Sequence, residues 1–220
     1  MRHFWTFRIV TFVICLGMGG ISAANLLAET FRTPPALFIE TSTSVPSQSQ
    51  IDSARRAARF VPDRSDLQAD AALALAAEAL NGVSGYRPEL NQQAQIAARQ
   101  ALAAGPHDSR IWLALARLQV QHSLHDPRVA ETLKLSYFTG PNLEALVATR
   151  LATVTSGSSL NDPDLQELAR GDVRLILTRY PDLKPALITA YRGAAPVGKQ
   201  FIEQSVKNID PNFATSLSKT

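Results

Sequence analysis

The sequence predicts an all-α fold, antiparallel helix pairs in a short right-handed helical array closed by a C-terminal helical cap. Three observations predict it. Alanine and leucine recur at helical spacings, as in Leu67, Leu73, Leu75 and Leu80 with seven alanines between Ala69 and Ala79. Hydrophobic residues make up 45% of the chain but aromatic residues only 7%, which suits helices at short axial distance and suits strands poorly. Proline or Gly-Pro cuts the helical stretches at Pro62, Gly105-Pro106 and Gly140-Pro141.

At 220 residues the chain fits one domain with attachments. Residues 1 to 8 carry Arg2, His3 and Arg8, and residues 9–27 form an uncharged, mostly apolar run. A helix of that length covers roughly 28 Å, enough for a bilayer core. Residues 1–28 therefore read as a signal anchor, with the basic flank in the cytoplasm and the rest across a bacterial inner membrane, in the periplasm. The alternative is a cleaved signal peptide, with Ser22-Ala23-Ala24 before the cut and a secreted or periplasmic product. Cys15, the single cysteine, lies in this run as a small hydrophobe, and an intrachain disulfide is excluded.

Residues 29–50 read as a flexible linker, because Pro34-Pro35 blocks a helix and the Ser/Thr/Gln-rich stretch from Thr41 to Gln50 has little apolar surface. A helical domain at 51–155 follows. Its first helix, Ile51 to Val61, puts Ile51, Ala54, Ala57 and Ala58 on one side and leaves Arg55, Arg56 and Arg59 to water. Leu67 to Leu80 is the second, with Ser65 or Asp66 as its cap and Asn81-Gly82 as its stop. Asn91 to Ala104 and Ser109 to Gln121 make a pair around Gly105-Pro106, with Asp108 and Ser109 capping and Trp112 expected in the core.

Arg128 to Tyr137 brings Val129, Leu133 and Leu135 inward, and Asn142 to Val154 follows Gly140-Pro141. The two Gly-Pro breaks lie 35 residues apart, a period typical of helical repeats. Residues 160–210 read as a helical cap on the last repeat, Gly171 as a kink or close approach, and residues 211–220 as a loose tail with Phe213 tucked back. Beyond Pro141 the period is lost.

Residues 51–151 resemble a divergent tetratricopeptide-repeat protein. Ala94, Ala98 and Ala101 match the second helix of a unit, Pro106 its end, and Trp112, Leu115 and Ala116 the first helix of the next. Ala57 with Pro62 repeats the helix-ending interval. About ten residues are inserted around Asn81 to Pro88, and Gln119 stands where the family usually has tyrosine. The resemblance implies stacked helix pairs and a concave recognition surface; it does not imply a ligand.

No chemical motif of comparable strength is present. His122, His125 and Asp126 lack a third metal ligand at a recognisable spacing. His107-Asp108-Ser109 lists triad residue types, but neighbours in sequence point apart, and helix capping is the stronger reading. Phosphate-binding and dinucleotide glycine patterns are missing, so no cofactor or metal is expected. The net charge of +3 falls short of a nucleic-acid-binding domain.

The expectation is accordingly a non-enzymatic, membrane-tethered or exported helical-repeat protein binding a protein partner, as an accessory or assembly subunit of a cell-envelope complex. An envelope hydrolase or lytic-type enzyme and a self-associating structural module, with homo-oligomerisation, are the alternatives. The expected concave face comprises Arg110, Arg117, Gln119, Gln121 and Arg150, with Asp70, Glu78 and Glu144 as further exposed positions.

Overall fold

The computed structural model describes residues 2–32, 47–81 and 85–217, and every regular element in those ranges is helical. The eleven α-helices of the described residues are α1 Arg2–Phe31, α2 Gln48–Phe60, α3 Ser65–Asn81, α4 Pro88–Ala104, α5 Ser109–His122, α6 Arg128–Thr139, α7 Glu144–Thr155, α8 Pro163–Thr178, α9 Lys184–Gly193, α10 Pro196–Lys207 and α11 Pro211–Leu217. The all-α expectation holds.

Within α1, Arg8–Phe31 is 24 residues long with a mean hydropathy of 1.9, long and apolar enough for a membrane anchor or a signal segment. Both ends of the expected 29–50 linker are helical. Residues 29–31 continue α1, and α2 opens at Gln48 with a capping box, in which the Ser47 hydroxyl accepts from Gln50 N and the Gln50 side chain accepts from Ser47 N. Residues 33–46, the remainder of that linker, lie outside the described residues.

The end of α1 is packed against the domain. Ala28 is fully buried, the Phe31 and Phe60 rings stack 5.8 Å apart at 10°, and α1 lies along α2. Ion pairs reinforce the joint: Arg32 reaches Glu29, Asp66 and Asp70 at 3.2–3.3 Å, and Arg64 reaches Glu29 at 3.2 Å and Asp66 at 2.6 Å.

A single turn conformation recurs along the chain. The residue before a proline has similar backbone angles at Val61 (φ −136°, ψ 81°), Gly105 (−147°, 82°), Gly140 (−161°, 68°) and Tyr180 (−124°, 62°). Proline disfavours the helical region for the residue preceding it; Val61, Gly105 and Gly140 cap the ends of α2, α4 and α6, and Tyr180 follows the C-cap of α8 by one residue. Tyr180-Pro181 is a fourth copy of this turn conformation, 40 residues after Gly140-Pro141 instead of the 35 that separate the two Gly-Pro breaks. Glycine at 105 and 140 answers a close approach. A Cβ on Gly105 would lie 2.9 Å from Ser65 Cβ, and one on Gly140 would lie 2.6 Å from Ser109 Oγ.

Following the turns, α3, α5, α7 and α9 form one continuous layer, each touching the next, and α4, α6 and α8 pack on α3, α5 and α7 respectively. The α3, α4 and α5 interface is alanine-rich, through Ala72, Ala76, Ala94, Ala98 and Ala101 around Leu73 and Leu118. From α5 onward the core is larger, with Leu133, Leu151, Leu165, Val173, Ile176, Leu187 and Ile202 fully buried. Amide side chains cross-link the first part: Asn91 Nδ2 donates to the Leu118 carbonyl at 2.9 Å and to Gln121 Oε1 at 2.8 Å, and Gln121 Nε2 donates to the Ala79 carbonyl at 3.0 Å.

Several expectations are corrected. Trp112 is half-buried at the edge of the core, its Nε1–H donating to the Pro106 carbonyl at 2.8 Å, while Ile111, Leu115 and Leu118 fill the interior. Leu135 faces out, being at an exposed position of α6. Gly171 lies within the continuous helix α8 and meets no close neighbour. Residues 211–217 are helical, with Phe213 packed on the core as expected and Leu217 fully buried.

Candidate functional site

The turns at Gly105 and Gly140 bring three helix ends together and leave a cleft of about 580 Å³. It is lined by the start of α3 (Ser65, Asp66), the α4–α5 turn (Gly105 to Arg110), and Thr139 with Leu143. The charged groups on its walls are fixed locally. Asp108 caps α5 by accepting from Arg110 N at 3.0 Å, and its other oxygen holds Arg110 Nη2 at 2.6 Å. That carboxylate holds the Arg110 guanidinium above its ordinary range. The Arg64 guanidinium bonded to Asp66 holds that carboxyl below the usual carboxylate range.

Alongside lies Asp70, buried and paired to Arg32; burial pushes its carboxyl up despite that pairing. The lining also carries apolar surface, since Leu143 is 43% exposed.

Of the five residues expected on a concave face, Arg110 alone lines this cleft. Arg117 is half-exposed on α5. The other three are corrected to packing roles. Gln119 is buried between helices, and Gln121 bridges α3, α4 and α5 through the amide bonds above. Asp70 is likewise interior, whereas Glu78 pairs with Arg87 at 3.2 Å and Glu144 is exposed.

Arg150 is fully buried in α7. Its Nη2 donates to the Ser136 carbonyl and, at 2.8 Å, to the Gly140 carbonyl, while Nε donates to Ser136 Oγ at 3.0 Å. The guanidinium lies 4.8 Å from the centroid of the Tyr137 ring, and the Tyr137 hydroxyl donates to Asp172 at 2.6 Å. Arg150 thus ties off the C-terminal carbonyls of α6 from inside the fold.

Burial pushes the Asp172 carboxyl up to about 7, against the pull of Tyr137 and Arg150. The folded chain therefore holds a proton that the unfolded chain releases at ordinary carboxylate pH. The contribution to stability is full at acid pH and is lost as pH rises toward 7. Denaturation midpoints should show up to about 3 kcal/mol of this loss between about pH 5 and pH 8, and Asp172→Asn should remove that part of the slope. Equal slopes for the two proteins would contradict the assignment.

The histidine cluster does not converge. His122 Nδ1 is hydrogen-bonded to Tyr86 Oη at 2.7 Å, and Asp126 is engaged by Arg128, which holds its carboxyl down. Among the described residues no group of three metal-ligating side chains comes together. No family model matches the chain, and comparison with curated proteins and with solved structures likewise finds no match.

Proposed function

We propose that this chain is a membrane-anchored, non-enzymatic scaffold whose helical array binds a protein partner at the cleft between the starts of α3, α5 and α7. The observation carrying the reading is the cleft itself: about 580 Å³, walled by pinned ion pairs and lined on one side by the exposed apolar side chain of Leu143. Partner surfaces of this kind combine apolar anchors with a polar surround. Its charges are already committed to Asp108–Arg110 and Arg64–Asp66 pairs, an arrangement that gives orientation and specificity rather than proton transfer.

The recurring pre-proline turn and the continuous layer of α3, α5, α7 and α9 support a tetratricopeptide-like reading of the array. In this reading the basic N-terminus stays in the cytoplasm, α1 crosses the inner membrane, and the array lies in the periplasm as an accessory subunit of an envelope complex.

The test places a photo-crosslinking amino acid at His107 or Leu143 in the intact chain, with half-buried Lys199 on α10, outside the cleft lining, as the control position. One partner should be captured from the two cleft positions and not from Lys199, and the capture from His107 should be lost with Leu143→Arg. Equal capture from Lys199, or capture indifferent to Leu143→Arg, would remove the cleft from the account.

A further inference from the structure

We infer that the arginine face of α2 is a docking surface for anionic phospholipid headgroups of the bilayer that α1 enters. The inference rests on reading α1 as a retained membrane span, and it adds a second contact between the protein and the lipid.

The outward face of α2 is fixed by its inward one. Ile51, Ala54, Ala57 and Ala58 are buried against the domain, so Arg55, Arg56 and Arg59 are held on the opposite side and cannot turn away. Together with Asp52 these arginines line a shallow concavity of about 350 Å³. Asp52 offsets part of their charge, at 4.0 Å from Arg55, and a positive excess remains. Guanidinium groups form planar, forked hydrogen bonds that match phosphate oxygens.

Position supplies the occupant. Helix α2 packs on the C-terminal end of α1, through the Phe31 and Phe60 rings, and the Arg56 guanidinium lies 5.1 Å from the Phe31 centroid. Phe31 closes the apolar segment Arg8–Phe31. Whenever that segment occupies a bilayer, Phe31 sits at its edge and the arginines beside it lie at headgroup depth. Basic side chains next to a span are attracted to anionic lipid within about a Debye length of the surface. The other arginines at this joint, Arg32 and Arg64, are engaged by Glu29, Asp66 and Asp70, so the outward face of α2 carries the lipid contact.

The experiment uses the full-length chain with Cys15→Ser and Ser49→Cys; Ser49 is exposed and shares a helix face with Arg56. A fluorophore at position 49 is read in vesicles of phosphatidylcholine alone, or with about 30 mol% phosphatidylglycerol, each carrying a headgroup nitroxide quencher. Quenching should be at least about twofold stronger in the anionic vesicles, and high salt should abolish the difference. Combined Arg55→Gln, Arg56→Gln and Arg59→Gln should abolish it as well, with helicity unchanged.

Co-flotation with both vesicle types reports insertion of α1 separately. A chain that does not float defeats the anchor reading, and with it this inference. A chain that floats equally in both, with quenching indifferent to lipid charge, salt and the three arginines, overturns the headgroup contact alone.

Discussion

Replacing Arg150 with alanine is expected to destabilise the protein by about 3–5 kcal/mol, the largest effect of any single substitution proposed for this chain. Two losses combine. The Ser136 and Gly140 carbonyls at the end of α6 lose their donor inside the fold, and a buried acceptor left without one costs about 1–3 kcal/mol. A large side chain also disappears from a fully buried position beside the Tyr137 ring, adding the cost of a cavity. Arg150→Met retains most of the volume and should cost clearly less. Chemical denaturation of the detergent-solubilised chain separates the two, and an alanine variant as stable as wild type would show that Arg150 does not brace α6.

Gly198→Ala should cost about 2–4 kcal/mol. A Cβ at this buried position would meet the Thr155 carbonyl oxygen at 2.3 Å, an obstacle made of backbone that cannot rotate aside. The same carbonyl accepts from Ala195 N at 2.9 Å, so shifting α10 outward to relieve the clash also strains the bond that seats its first turn. Gly171→Ala is the matched control. It lies within α8 with nothing within 4 Å of the added atom, and should stabilise by up to about 1 kcal/mol. Equal losses at the two sites would mean that helix packing does not decide the outcome.

Much of this architecture was legible because helix breaks and apolar spacing report directly on local physics. Asp108 announces the start of α5, and Gly105-Pro106 the end of α4, from residue chemistry alone. Tyr180-Pro181 was harder to see as the same turn, because it carries the proline without the glycine. Glycine is required at 105 and 140 by neighbouring serines, whereas the proline sets the backbone at all four positions.

The misplaced site residues share another cause. Arg150 falls between Leu146, Val147 and Val154 on the inward stripe of α7, and Gln119 follows Leu115 by one turn. Spacing placed both inside; their polarity suggested the opposite. Only tertiary structure reveals the acceptors that make a buried guanidinium tolerable, because Ser136 and Gly140 come from a different helix and its following turn. The cleft was similarly hidden, being made where turns distant in sequence meet.

The joint between α1 and the array sets how far the protein can reach. A domain on a free tether explores a volume that grows with the tether, but here Ala28, Phe31 and Arg32 clamp the base of the array to the end of α1. Successive packed helices are about 8–10 Å apart, so the layer from α3 to α9 measures about 24–30 Å. With α1 in a bilayer, that clamp would keep the whole layer within a few nanometres of the lipid.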